Sequence, residues 1–142
     1  MTNFCKLLKN MKDYKKAIWQ VIILSIWINL AETIRWIAFS KPYFVSHAQN
    51  MNIEQPSGPL YLIIWFVWGI LVAFLIYIIS QKFSYLKATL IIWLSVFSGV
   101  WIMLINLRIV TFPILFAIAA FCFIEIFIGT LISKYFQNHF KY

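Results

Sequence analysis

Four long apolar stretches constrain the fold of this chain more than any other feature of its sequence. Each is 20 to 25 residues long, and they cover residues 17–39, 59–80, 88–107 and 109–133. A helix needs about 20 residues to cross the hydrocarbon core of a bilayer, whereas a membrane β-strand is about half as long and alternates in polarity. Lipid offers the backbone no hydrogen-bonding partners, so these stretches must be helical. The sequence therefore predicts an all-α integral membrane protein, a four-transmembrane-helix bundle.

The composition excludes the main alternatives. Of the 142 residues, 63% are hydrophobic and only 11% are charged, whereas about 25% are charged in an ordinary soluble domain. So few charged groups do not cover a soluble surface, and the dominance of apolar residues excludes disorder. The two cysteines, Cys5 and Cys122, do not indicate a disulfide scaffold, because Cys122 lies within an apolar stretch.

A basic segment, residues 1–16, precedes the first stretch. Its five lysines alternate with apolar residues at helical spacing, a pattern typical of an amphipathic helix in the membrane interface. A frayed basic tail that only sets the topology is the alternative. A cleaved signal peptide is not expected, because the following apolar run is about twice the usual length and because Glu32 and Arg35 stand where a cleavage site would be.

The distribution of lysine and arginine predicts the orientation. Nine of the twelve basic residues lie in the leader, in the connection at 81–87 and in the tail at 134–142. Because cytoplasmic loops are enriched in Lys and Arg, we expect both termini in the cytoplasm and the outer loop, residues 40–58, on the other side. The expected location is the cell (cytoplasmic or inner) membrane. The expected partners are the lipid bilayer and a homo-oligomer or larger membrane complex, with no nucleic acid.

Polar residues within the apolar stretches are the candidate functional residues, because a charge in the membrane costs roughly 2.5–3.5 kcal/mol. In the first stretch, Asn29 and Glu32 lie on a stripe that faces protein, and Arg35 follows one turn later. Asn106, near the end of the third stretch, and Arg108, at its outer boundary, reach a similar depth. These residues predict an outer-leaflet polar cluster. It is either a structural ion pair that fixes the packing or a site for a small anion, a lipid headgroup or a polar substrate.

Glu125, in the fourth stretch, is a second buried carboxylate without a basic partner in its own span. It shares a helix face with Cys122, which we expect to be a buried and inert thiol. His47 and His139 lie on opposite sides of the membrane in this topology, so they do not share a metal. No metal and no other cofactor are expected.

Pairs of small residues four positions apart predict faces of close helix packing. The pairs are Gly69 and Ala73, Ser95 and Gly99, and Gly129 and Ser133. The sequence contains none of the motifs of phosphate-binding loops, serine hydrolases, zinc proteases or haem attachment. No catalytic residue is therefore assigned, and the prediction leans away from an enzyme.

The segment Leu30-Ala31-Glu32, in the first of the four stretches, resembles the glutamate-bearing first helix of the small multidrug resistance exporters. The resemblance covers three residues. The chain departs from that family's pattern in having only four glycines, a long outer loop, a basic leader and Arg35 one turn after the acid. The likeness therefore assigns no family.

Three functions stay open on the sequence. The leading interpretation is a small non-catalytic subunit, or an accessory or assembly protein, because no reaction motif is present and little of the chain lies outside the apolar stretches. The alternative is a small transporter or channel that uses Glu32, with Glu125 as a second group. The third is a membrane enzyme that acts on a lipid or a quinone.

Overall fold

The computed structural model describes residues 3–50, 58–106 and 112–139. Within them, every residue outside the two short breaks at 58 and 83–84 is helical. The prediction of an all-α fold is therefore confirmed for the described part of the chain. The helices are α1 (Asn3–Arg35), a π-helix (Trp36–Ser40), α2 (Lys41–Asn50), α3 (Pro59–Lys82), α4 (Tyr85–Asn106) and α5 (Phe112–His139).

Three of these helices are long and apolar enough to cross a membrane, over Tyr14–Ala38, Pro59–Lys82 and Ile114–His139. In α4 the described side chains contribute a shorter apolar stretch, Tyr85–Gly99. The length and composition of the helices thus indicate a helical membrane protein. The fourth crossing, the orientation of the termini and the division into leader, membrane domain and tail stay predictions.

Helix α1 begins well before its apolar part. It starts at Asn3, so the basic leader is helical and continues into the first apolar stretch without a break. Described side chains begin at Tyr14, so most of the amphipathic face predicted for residues 1–16 lies outside them. Within the predicted outer loop, residues 41–50 form α2, and Glu54 and the side chain of His47 lie outside the described residues.

Local sequence sets the start of α3. Gly58 precedes it with a φ of +116°, which favours glycine because a side chain is strained there. Pro59 occupies the first helical turn, where its missing N–H costs no hydrogen bond. The break between α3 and α4 is short, and the Phe83 N–H donates to the carbonyl of Ile79 at 3.2 Å.

The core lies where α1, α3 and α5 pack against one another, with α4 against α3 and α5. All four helices contribute aliphatic side chains to it, and a second, smaller cluster involves α4 and α5. Many large apolar side chains on the outer faces are exposed, as expected for helices that face lipid. The main core consists of Leu24, Ile28, Val72, Ala73, Ile76, Ala88, Ile92 and Ile126, and the second cluster of Trp101, Ile118 and Cys122.

Two of the three predicted small-residue faces are buried. Gly69 and Ala73 pack towards α1, where a Cβ on residue 69 would lie 2.6 Å from Cγ of Asn29. Gly129 and Ser133 are also buried, so both pairs confirm the packing prediction. The third predicted face, at Ser95 and Gly99, is wrong for the described part of the chain. Both residues are exposed, and no atom of a described residue lies within 4 Å of a Cβ built on Gly99.

A group of uncharged polar side chains, here called the neutral network, joins α1, α3 and α5. The Gln20 side-chain amide donates to the carbonyl oxygen and hydroxyl of Ser133 at 2.8 and 2.9 Å. The hydroxyls of Ser80 and Ser133 are 2.6 Å apart. The Gln137 amide donates to Ser80 Oγ at 3.0 Å. Hydrogen bonds between helices are a principal means of fixing their packing in lipid.

Candidate functional site: a buried carboxylate cluster

The structure brings together two acidic residues that are 93 positions apart in the sequence, Glu32 of α1 and Glu125 of α5. A carboxylate oxygen of each and Sγ of Cys122 all lie within 4.8 Å of one another. The three residues are only 6–7% exposed. Together with Arg35, they are called the carboxylate cluster below.

Helical spacing explains how each side of the cluster is built. On α1, Gln20, Leu24, Ile28 and Glu32 follow at intervals of four and are all buried, so the acid continues the core face. On α5, Cys122 and Glu125 are three positions apart and lie on one face. The Trp27 indole N–H donates to the backbone carbonyl of Glu125 at 3.0 Å and ties the two helices together.

Arg35 supplies the positive charge of the cluster. Its guanidinium forms an ion pair with Glu32, three positions earlier on the same helix. Its side chain is only 11% exposed, and its Nε has no hydrogen-bond partner among the described residues.

The charges within the cluster do not balance. It holds two carboxyl groups and one guanidinium. Among its described side chains, Glu32 and Arg35 form an ion pair, and Glu125 is the second carboxyl group. An isolated carboxylate in a medium of low dielectric constant is strongly unfavourable. One further positive charge, carried by a proton or by a cation, would neutralise the group.

The backbone changes its helical form directly beside the cluster. The π-helix begins at Trp36, next to Arg35, and the Lys41 N–H donates to the Trp36 carbonyl. Such segments are rare and occur frequently at functional sites. Trp36 contacts Phe44 and Trp65, with ring centroids 5.6 and 6.0 Å apart. An aromatic layer therefore follows the cluster at the C-terminal end of α1.

Ser40 ends the π-helix as a second unsatisfied polar group. It is 3% exposed, and its hydroxyl has no hydrogen-bond partner among the described residues. Buried polar atoms without a partner are uncommon, and each requires an explanation. Ser40 was not singled out on the sequence, because a serine at the end of an apolar stretch looks like an ordinary boundary residue.

The other predicted site residues are placed differently. Asn29 donates to the carbonyl of Ser25 at 2.8 Å and fills the space beside Gly69, so its described contacts serve the packing of α1 against α3. Arg108 and the side chain of Asn106 lie outside the described residues. Their part in the predicted outer cluster therefore stays a prediction.

The structure adds a neighbour to Glu125 that the sequence does not reveal. In the sequence, Glu125 has no basic residue in its own span, but packing places it beside Glu32 and the Glu32–Arg35 pair. It also places Cys122 among three candidate metal ligands, where the sequence indicates an isolated thiol. The spacing of Cys122 and Glu125 was the available signal, and it does not reveal which helix faces them.

No protein-family model, curated protein or solved structure matches this chain. The three-residue resemblance to the small multidrug resistance exporters therefore stays a local likeness. The carboxylate cluster and the helices that position it are therefore the features that bear on function.

Proposed function

We propose that this chain is a small multi-pass membrane transporter that binds one proton or one monovalent cation between Glu32 and Glu125. In this proposal both termini are cytoplasmic, and Arg35 holds Glu32 in position. The observation that carries the proposal is the second carboxyl group: Glu125 lies within 4.8 Å of an acid that already has its arginine.

A purely structural role accounts for only half of this arrangement. A single buried ion pair between Glu32 and Arg35 is sufficient to favour one packing of the helices. Adding Glu125 introduces a second charge without a described partner and makes the same region less stable. Ionisable groups inside membranes commonly mark ion pathways and proton relays, and a binding site gives Glu125 a reason to be there.

The surroundings favour a carrier over an open channel. Between the carboxylate cluster and the neutral network, the main core contains Leu24, Ile28, Ile76 and Ile126, all at most 2% exposed. About 12 Å of α5 separates Glu125 from Ser133. A continuous water-filled path requires polar lining, and these aliphatic side chains do not supply it.

Transport in reconstituted vesicles tests the proposal. Purified protein is placed in vesicles that contain a trapped pH-sensitive or sodium-sensitive dye, and a proton or sodium gradient is imposed in separate experiments. Glu125→Gln keeps the shape of the side chain and removes its charge, so uptake should fall by about tenfold or more. Glu54→Gln, in the connection before α3, is the matched control and should retain uptake.

The two gradients identify the ligand. If uptake depends on Glu125 only under the proton gradient, the proton is the transported charge. If it depends on Glu125 only under the sodium gradient, the transported charge is the sodium ion. Equal uptake by the wild-type protein and Glu125→Gln in both gradients would contradict the proposal.

The orientation is tested with single cysteines introduced at Ser46 and at Asn138. Labelling of position 138 from outside intact cells would show that the proposed topology is wrong.

A second candidate function, a non-catalytic subunit of a membrane complex, is favoured by the start of α3. Every residue from Leu60 to Val67 is exposed, so this part of the helix has no side fully covered by the chain itself. Lipid or a partner helix has to cover it. Mass spectrometry of the protein released from native membranes distinguishes a transporter from a subunit. A subunit is detected together with a partner protein. Phe66→Ala should weaken that association, whereas Phe116→Ala, at an exposed position on α5, should not.

A further inference from the structure

Cys122 is a member of the carboxylate cluster that the proposed function does not use. Its Sγ lies within 4.8 Å of a carboxylate oxygen of Glu32 and of Glu125, and the residue is 7% exposed. A buried thiol that serves only packing behaves as a small apolar group and needs no acid beside it. Here three groups that bind metals converge between α1 and α5.

The Glu125 side chain gives a second indication of a ligand. The residue is 6% exposed, and none of the residues that the structure describes forms an ion pair or a hydrogen bond with its carboxyl group. Buried polar groups without a partner are uncommon, and each requires an explanation. Glu32 is paired with Arg35 through Oε2, which leaves Oε1 to bind a further group.

The separation of the three groups suits a single metal ion. Zinc binds carboxylate oxygens at about 2.0–2.2 Å and thiolate sulfur at about 2.3 Å, so the ligand atoms around it are about 3.5 Å apart. Those of the cluster are at most 4.8 Å apart, and small rotations of the two glutamate side chains bring them to this spacing. Three protein ligands with one open position are a common arrangement for zinc.

The charges and the donor atoms indicate which metal fits. With Cys122 as a thiolate, the cluster has three negative groups, which balance a dication together with Arg35. The proton of the thiol is released to water when the sulfur binds the metal. Calcium and magnesium prefer a shell of oxygen ligands, whereas zinc accepts sulfur and oxygen in one site.

We propose that Glu32, Cys122 and Glu125 bind one divalent metal ion that accepts a thiolate, such as zinc, cobalt or cadmium. Arg35 holds Glu32 in position for it. The metal occupies the carboxyl groups that the proposed function assigns to a proton or a monovalent cation, so it competes with that ligand. This competition rests on the proposed function, whereas the binding of the metal does not.

Absorption spectroscopy tests the binding without any transport. Co²⁺ is titrated into the purified full-length protein in detergent. A cobalt–thiolate bond absorbs in the near ultraviolet, and thiolate is the form of cysteine that binds metals. We expect this band to saturate at one metal per chain. Cys122→Ser should abolish the band, whereas Cys5→Ser, which removes the other cysteine of the chain, is the matched control and should keep it.

Zinc affinity supplies a second measurement that leaves the thiol in place. Competition with a zinc-chelating dye gives the dissociation constant. Glu125→Gln should weaken zinc binding by at least about tenfold, because even the loss of a group outside the ligand shell costs about 10–100-fold. Glu54→Gln is the matched control and should keep the affinity. Excess calcium should not displace the zinc.

Three results would overturn the inference: a wild-type protein without the cobalt–thiolate band, a band that Cys122→Ser keeps, and zinc binding that Glu125→Gln leaves unchanged. None of them affects uptake that depends on Glu125. Conversely, uptake that does not depend on Glu125 contradicts the proposed function and leaves the cobalt band in place. Where both hold, excess zinc should reduce uptake by the wild-type protein several-fold, and uptake that zinc does not reduce would contradict the competition.

Discussion

The carboxylate cluster and the neutral network both join α1 and α5, yet they satisfy their polar groups in opposite ways. In the neutral network, Gln20, Ser80, Ser133 and Gln137 hydrogen-bond to one another across three helices. In the carboxylate cluster, one of the two acids pairs with an arginine whose Nε has no described partner, and the other acid has no described basic partner. Uncharged hydrogen bonds therefore already join these helices. The proposed ligand gives the charged cluster a purpose that the neutral network does not supply.

The strongest test of this comparison removes both acids. In Glu32→Gln with Glu125→Gln, Arg35 stays buried without an anion, which costs about 3–5 kcal/mol of unfolding free energy. Chemical unfolding in detergent, followed by tryptophan fluorescence, measures the loss. Adding Arg35→Gln should recover much of it, because the unpaired charge is then removed. A double variant as stable as the wild-type protein would show that Arg35 does not depend on these carboxylates.

A smaller loss is expected from the neutral network. Ser133→Ala removes a hydroxyl that contacts Gln20, Ser80 and Gln137, and buried polar groups left without a partner cost about 1–3 kcal/mol. Ser95→Ala is the control, since Ser95 is exposed and bonds within its own helix. Equal stability of the two variants in the same unfolding experiment would show that the neutral network does not stabilise the packing of the helices.

The coupling between Glu32 and Arg35 should be smaller still. Arg35→Gln should lower the unfolding free energy less in the Glu32→Gln background than in the wild-type protein, with a coupling of about 0.5–1 kcal/mol, at the lower end of the range for residues in contact. Additive effects would mean that the observed ion pair contributes no net stability, as for many pairs at surfaces.

The smallest effect on stability, close to zero or a gain, is expected for Glu125→Gln alone. This change removes the carboxyl group that lacks a described basic partner and leaves the Glu32–Arg35 pair in place. We expect the unfolding free energy to change by less than about 0.5 kcal/mol while uptake in vesicles is lost. A large loss of stability would instead make Glu125 a packing residue, and the two polar regions would then serve the same purpose.

The sequence predicts most of the helices and, within the carboxylate cluster, the pair formed by Glu32 and Arg35. Runs of apolar residues determine where helices form in lipid, and the spacing of Glu32 and Arg35 along one helix is enough to bring them together. The position of Glu125 depends on how α5 is rotated and shifted against α1. That choice is made by contacts such as Trp27 with the Glu125 carbonyl and Gly129 against Ile76. Periodicity within one helix carries no such information.

The same limit explains the small-residue pairs. Gly69 matters because Asn29 of another helix occupies the space beside it, whereas no described residue lies within 4 Å of a Cβ on Gly99. Both belong to pairs with the same spacing in the sequence. The difference between them is a property of the assembled helices, so the spacing alone predicts a packing face at Ser95 and Gly99 where the described residues form none.

The π-helix has a mechanical consequence. It joins α1 and α2 without a break, so the backbone from Asn3 to Asn50 is continuously helical. At the usual rise per residue this backbone is about 70 Å long, whereas a bilayer with its headgroups is about 40–45 Å thick. In a membrane it must therefore protrude, tilt or bend, and the π-helix is a place where helices bend. Since Glu32 and Arg35 directly precede the π-helix, we expect a thicker or thinner membrane to change their depth, and with it their distance from water.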